Sequence, residues 1–129
     1  MIVISDTSCI SYLARLRCAD ILQALYGRVM VPPAVFAELS AGSAAHPEID
    51  AVLNSAWLEV RTLSQPENIT ELLLSLDLGE SEAIQLAQEM QAEFLLIDER
   101  DGRQAALARG IRVIGVAGIL LNARKSALL

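Results

Sequence analysis

Two short runs in this chain, Ile2-Val3-Ile4 and Phe94-Leu95-Leu96-Ile97, contain no polar residue. A strand with one wet face alternates polar and apolar side chains. Unbroken apolar runs instead predict strands covered on both faces, the condition of a parallel sheet in an α/β protein. Parallel neighbours cannot be joined by a hairpin and need crossover connections, usually helices. The intervening sequence offers them in quantity, so the expected fold class is α/β: a three-layer α/β/α sandwich with a mainly parallel sheet, as a single domain over residues 1–129.

The first run ends at Asp6-Thr7-Ser8, all helix-capping types, and Ile10, Leu13 and Ala14 recur at helical spacing. A second helix is expected from Asp20 to Tyr26, closed by Gly27. Val29-Met30-Val31 reads as a strand. Pro33 suits a first helical position, and a helix follows over Ala34 to Leu39. Glu48 to Ser55 is expected to be helical, and Leu58 to Leu63 alternates as a strand nearer an edge. Ile69, Leu72, Leu73 and Leu76 predict an amphipathic helix, separated at Gly79 from another over Glu80 to Gln91. Beyond the second apolar run come a helix from about Asp101 to Arg109, a strand at Val113-Ile114 and a helix over Ala117 to Lys125.

Global features remove several classes. The hydrophobic fraction of 53% is too high for a disordered chain. No stretch approaches the roughly 20 apolar residues a spanning helix needs. The start, Met1 to Asp6, lacks the basic opening of a signal peptide. Cys9 and Cys18 are too few for a disulfide scaffold or a four-ligand zinc site. A cytoplasmic domain with reduced thiols and no membrane association is expected. Ten basic residues against sixteen acidic ones give a net charge of −6, which at first sight argues against a nucleic-acid partner.

Open α/β sheets bind ligands beyond the carboxyl ends of their strands. Both apolar runs lead into an aspartate, Asp6 and Asp98, and strand ends in a parallel sheet share one edge. Glu38, one turn into the helix after the second strand, and Glu80, at the start of the helix before the Asp98 strand, belong to elements that can border the same rim. Several carboxylates without bases repel, and a hard divalent cation such as Mg2+ or Mn2+ relieves that conflict. Such a site activates water and binds phosphoryl oxygens. Plainer roles stand beside this one. Asp6 and Asp98 also suit helix caps, Glu80 suits a helix dipole, and Glu38 suits a solvated helix face.

Other chemistries have less support. His46 stands alone in a loop before Pro47, with nothing to orient it for nucleophilic catalysis. Cys9 reads as a small core residue. There is no GxGxxG and no GxxxxGK[ST].

The opening strand into Asp6-Thr7-Ser8, the stretch Val31-Pro32-Pro33-Ala34-Val35-Phe36-Ala37-Glu38-Leu39, Gly79-Glu80-Ser81-Glu82-Ala83-Ile84 and Leu95-Leu96-Ile97-Asp98-Glu99-Arg100 together resemble the PIN-domain family. The likeness runs in order through nearly the whole chain. It is nearest to small prokaryotic PIN proteins related to VapC-type toxins. The resemblance implies a Mg2+- or Mn2+-dependent ribonuclease with Asp6, Glu38, Glu80 and Asp98 as catalytic and metal-binding acids. Thr7 or Ser8 matches the hydroxyl supporting the first aspartate. Glu82 is an alternative third acid, and Asp101 stands beside the fourth. The common threonine before the final aspartates is replaced by Ile97. It further implies a small antitoxin as partner, the role of toxin in such a pair, and a homodimer.

RNA phosphate contact falls to the basic minority, nine arginines and one lysine, with Arg100 and Arg103 nearest Asp98. Two rival functions fit the same acids: a non-catalytic α/β module binding a metal or a partner, and a metal-dependent phosphohydrolase of small esters. A phosphoacceptor would want a lysine near the last strand, and the sole lysine is Lys125. With Asp6, Glu38, Glu80 and Asp98 assigned to one metal cluster, twelve acids face ten bases. The acidic balance then no longer excludes RNA.

Overall fold

The computed structural model describes all residues from Met1 to Leu129. Five strands, β1 (Val3–Ser5), β2 (Val29–Val31), β3 (Leu58–Val60), β4 (Phe94–Leu96) and β5 (Val113–Ile114), form one sheet in the order β3-β2-β1-β4-β5. Every pairing is parallel. Seven helices flank it: α1 (Thr7–Arg15), α2 (Asp20–Tyr26), α3 (Pro33–Gly42), α4 (Pro47–Leu53), α5 (Leu78–Met90), α6 (Arg100–Ala108) and α7 (Val116–Lys125).

The apolar runs become the two central strands. Val3, Ile4 and Ser5 point alternately to opposite faces, and all three are buried, so both faces of β1 are covered. Leu95, Leu96 and Ile97 are likewise inaccessible to solvent. The alternating Leu58–Val60 strand lies at one edge, with Val60 44% exposed. Gly27 closes α2 at φ +77°, a left-handed conformation that favours glycine.

One expected element is absent. Ile69, Leu72 and Leu76 are buried as the spacing demands, but the backbone between them makes two 3-10 turns, Pro66–Ile69 and Leu72–Leu74, rather than an amphipathic helix. Leu73 is 44% exposed. Apolar periodicity marks which residues face the core and does not choose between a helix and successive tight turns.

Gly79 does not separate helices but lies within α5, whose cap is two residues upstream. The Asp77 carboxylate accepts from the Glu80 N–H at 2.8 Å, and the Glu80 carboxylate accepts from the Asp77 N–H, a reciprocal capping box. Asp77→Ala removes this cap, with an expected loss of about 1 kcal/mol in urea denaturation. An unchanged midpoint would mean that α5 is not held at Asp77.

Candidate active site

The strand order sets the position of the site. From β1 the chain moves outward through β2 to β3, then crosses to the other side of β1 and continues through β4 to β5. The order reverses between β1 and β4, and ligands of open α/β sheets bind in the crevice beyond such a switch point. Asp6 and Asp98 follow these two strands. The Asp6 N–H continues the ladder by donating to the Leu96 carbonyl at 3.0 Å, which fixes Asp6 at the switch point between β1 and β4.

Asp6 caps α1: its Oδ1 accepts from the Cys9 N–H at 3.2 Å. Its other oxygen, Oδ2, is buried and has no hydrogen-bond partner, and the residue is 1% exposed. Burial, followed by the charges of Glu80 and Asp98, pushes the carboxyl up to about 7. Asp98 is solvent-exposed. Its Oδ1 accepts from the Val116 N–H at 3.0 Å and so caps α7, not the helix that follows it in sequence.

The two glutamates reach the rim from α3 and α5, which pack on one another. Glu38 Oε1 accepts a short hydrogen bond from the Thr7 hydroxyl. The hydroxyl after the first aspartate therefore supports Glu38, while Ser8 lies exposed on the first turn of α1. Burial, then Asp77 beside it, holds the Glu80 carboxyl above its ordinary range.

Three of these acids sit over glycines. A Cβ at Gly79 would come within 2.9 Å of Glu38 Oε2. One at Gly102 would lie 2.9 Å from Glu80 Oε2, and one at Gly115 would lie 2.7 Å from Asp98 Oδ1. Any side chain at these positions would displace a carboxylate. The sequence pattern marks Gly79 only as a helix break and does not single out Gly102 or Gly115, because each acid lies far along the chain from the glycine beneath it.

The remaining candidates divide. Glu82 Oε1 accepts from the Ala34 N–H at 2.9 Å. It satisfies the free amide of the first turn of α3 and ties that helix to α5. Asp101 is exposed in the first turn of α6, as is Arg100. Arg103 is half-buried, and its Nη1 would lie 2.5 Å from a Cβ at Gly115, so it flanks the same spot as Asp98. The ion pairs of the molecule are Arg28–Glu59, Arg61–Glu59 and His46–Glu48, none of which involves Arg100 or Arg103. Cys9 is fully buried, and burial together with the nearby Asp6 and Asp98 charges raises its thiol pKa, so it stays a neutral core residue.

No three of these side chains close around a single point in this conformation. Glu38, Glu80 and Asp98 each accept a hydrogen bond from a donor of the chain. The donor set nevertheless suits a hard divalent cation: it is all oxygen, and it includes one buried carboxylate oxygen without a partner.

Fold and site together define an open parallel α/β protein with a carboxylate-rich crevice at its switch point. A family model described as a PIN domain (DUF3368) matches residues 2–129, and the chain belongs to that family, whose members are generally nucleases. A search of curated protein sequences returns no match. Among solved structures, the chain is similar to a PilT N-terminus domain protein from the archaeon Sulfolobus solfataricus P2, at 20% identity and a TM-score of 0.66, over 95% of this chain and 93% of that one. It is also similar to PAE2754 from Pyrobaculum aerophilum, at 16% identity and a TM-score of 0.69, over 97% of this chain and 99% of that one. At these identities the likeness concerns the fold. No helix is long and apolar enough to cross a membrane.

The upward shift of Asp6 predicts an inverted pH dependence. A carboxyl raised from 3.8 to about 7 in the folded protein binds its proton more tightly there than in the unfolded chain. Without metal, stability therefore falls as pH rises from about 4 to about 7, by an amount on the order of 4 kcal/mol. Asn caps helices as well as Asp does. The variant Asp6→Asn is thus expected to melt above the wild type at pH 8 in a chelator, with the difference closing by pH 4. A variant less stable than wild type at pH 8 would contradict the buried charge.

Proposed function

We propose that this PIN-domain protein is a Mg2+- or Mn2+-dependent ribonuclease, with Asp6, Glu38, Glu80 and Asp98 holding the metal. The observation that carries the reading is the buried, partnerless oxygen of Asp6 at the switch point, electrostatically coupled to Glu80 and Asp98. A protein that gains nothing else from such a group loses stability by keeping it. A divalent cation bound there polarises a phosphate and lowers the pKa of a bound water.

The chain's own residues have distinct tasks in this proposal. Asp6 is a rigid ligand, since its other oxygen is fixed to the Cys9 N–H. The Thr7 hydroxyl and the bare surface of Gly79 hold Glu38 in place. Glu80 stays protonated to a higher pH than an ordinary carboxyl, and it joins the set when it releases that proton. Arg100 and Arg103, free of ion pairs, would neutralise the substrate phosphates. Glu82 is occupied with Ala34, which favours Glu80 as the third acid.

The finer form of the proposal is the toxin of a toxin–antitoxin pair, acting in the cytoplasm and bound by a small antitoxin or by a second copy. Leu73, Leu74 and Leu78, at 44%, 85% and 47% exposed beside the start of α5, support a protein partner near the acids.

The test is cleavage of labelled single-stranded RNA alongside a generic phosphate ester. RNA cleavage is expected with Mn2+ or Mg2+, lost in a chelator, and reduced at least a hundredfold in Asp6→Asn with the fold intact. Ester hydrolysis without RNA cleavage would mark a small-molecule phosphohydrolase. Metal-dependent stabilisation without any cleavage would mark a non-catalytic module.

A further inference from the structure

Next to the acids, on the far side of Asp98, lies a cleft of about 360 Å3 between β5, α6 and α7. That volume stands at the small-molecule end of ligand sites. Its composition is asymmetric. Asp98 and Arg103 stand at one end, Val113, Ile114 and Leu121 supply apolar surface, and Asn122 brings an amide.

The pattern of α7 accounts for the space. Val116, Ile119 and Ala123 are buried and fix the helix to the core. Ala117, Gly118, Leu121 and Asn122 line the cleft instead. Two of those four are the smallest residues available, and a Cβ at Gly118 would already come within 3.1 Å of Ile114 Cγ2. A flat ligand can therefore lie close along the helix. Leu121 is left 53% exposed. Arg103 is half-buried at the junction between cleft and acids and has no carboxylate partner within 4.0 Å.

From these features we infer that the cleft is a nucleotide subsite, receiving the ribonucleotide next to the phosphate held at the acids. The inference rests on the ribonuclease reading for its place on the substrate. A guanidinium without an ion pair at the acid end suits the phosphate. Apolar side chains on one wall suit the face of an unstacked base, which is how single-stranded RNA presents itself to proteins. The Asn122 amide, which lies near the Tyr26 hydroxyl, sets a donor beside an acceptor, the combination that the edges of unpaired bases present. Asn122 thereby becomes the residue that contacts the base edge, with AMP as the probe nucleotide.

Binding can be followed in the metal-free, full-length protein by titrating 15N-labelled chain with 3′-AMP and 5′-AMP, ribose 5-phosphate and inorganic phosphate. Shifts are expected at Gly115, Gly118 and the Asn122 side-chain amide, with an adenosine monophosphate bound about tenfold more tightly than ribose 5-phosphate. Asn122→Ala should weaken AMP binding about tenfold while leaving ribose 5-phosphate binding and the rest of the spectrum in place. Ala117→Leu, at an exposed helical position facing the cleft, should exclude AMP without unfolding the chain. Equal affinity for AMP and inorganic phosphate would overturn the subsite, leaving only an arginine that attracts anions. An unperturbed cleft would overturn it too, and the cleft would then be open to a protein partner's side chain. AMP binding by a protein that cleaves no RNA would support the subsite and contradict the ribonuclease. RNA cleavage by a protein whose cleft ignores AMP would do the reverse.

Discussion

The rest of the site is arranged around a carboxylate that should not be where it is. Asp6 stands at the end of the central strand, 1% exposed, with one oxygen on the first turn of α1 and the other on nothing. An ionised carboxylate removed from water is costly unless it is paired. No arginine or lysine pairs with it, and the nearest charges, Glu80 and Asp98, are of the same sign. The sheet order makes this burial possible, because the strands on either side of the switch point shield Asp6 while leaving the crevice beyond it open.

Glu80 and Asp98 are near enough for their charges to act on Asp6, and Glu38 is tied to the residue after it, yet none of the three is hydrogen-bonded to Asp6 itself. Each has a donor of its own: Thr7 for Glu38, the Asp77 N–H for Glu80, and the Val116 N–H for Asp98. Each also rests where a glycine leaves room. The donors and glycines come from α1, α5 and its cap, α6, and the start of α7 with the glycine before it, so the same contacts that pack the helices set the spacing of the carboxylates. Glu82 belongs to the packing side of this arrangement, since its bond to Ala34 joins the helix carrying Glu38 to the helix carrying Glu80.

Much of this was legible in the sequence because it depends on local pattern. Unbroken apolar runs mark strands buried on both faces, and an acid after each run in a parallel sheet places both acids on one edge. The α/β class, the edge position of Leu58–Val60 and the buried Cys9 followed from such patterns. The failures lie where the determining contact is distant. Gly79 reads as a helix break in isolation, and only its approach to Glu38 explains a glycine inside α5. Glu80 and Glu82 are indistinguishable by spacing, and Ala34, 48 residues away, separates their roles. Asp98 reads as a helix cap from sequence, but the helix it caps lies beyond a further strand. The Ile69–Leu76 segment showed the core-facing residues correctly and the wrong backbone, since 3-10 turns can bury the same side chains as a helix.

The net charge of −6 takes its meaning from this site. In the proposed function, Asp6, Glu38, Glu80 and Asp98 account for four of the sixteen acids and would be offset by a bound cation, while Arg100 and Arg103 form no ion pair. Anomalous diffraction from crystals soaked in Mn2+ tests this directly. The expected result is a peak about 2.0–2.2 Å from Asp6 Oδ2, with at least one of Glu38, Glu80 and Asp98 turned toward it. No peak at saturating Mn2+, with Asp6 Oδ2 still buried and without a partner, would contradict a metal-dependent site.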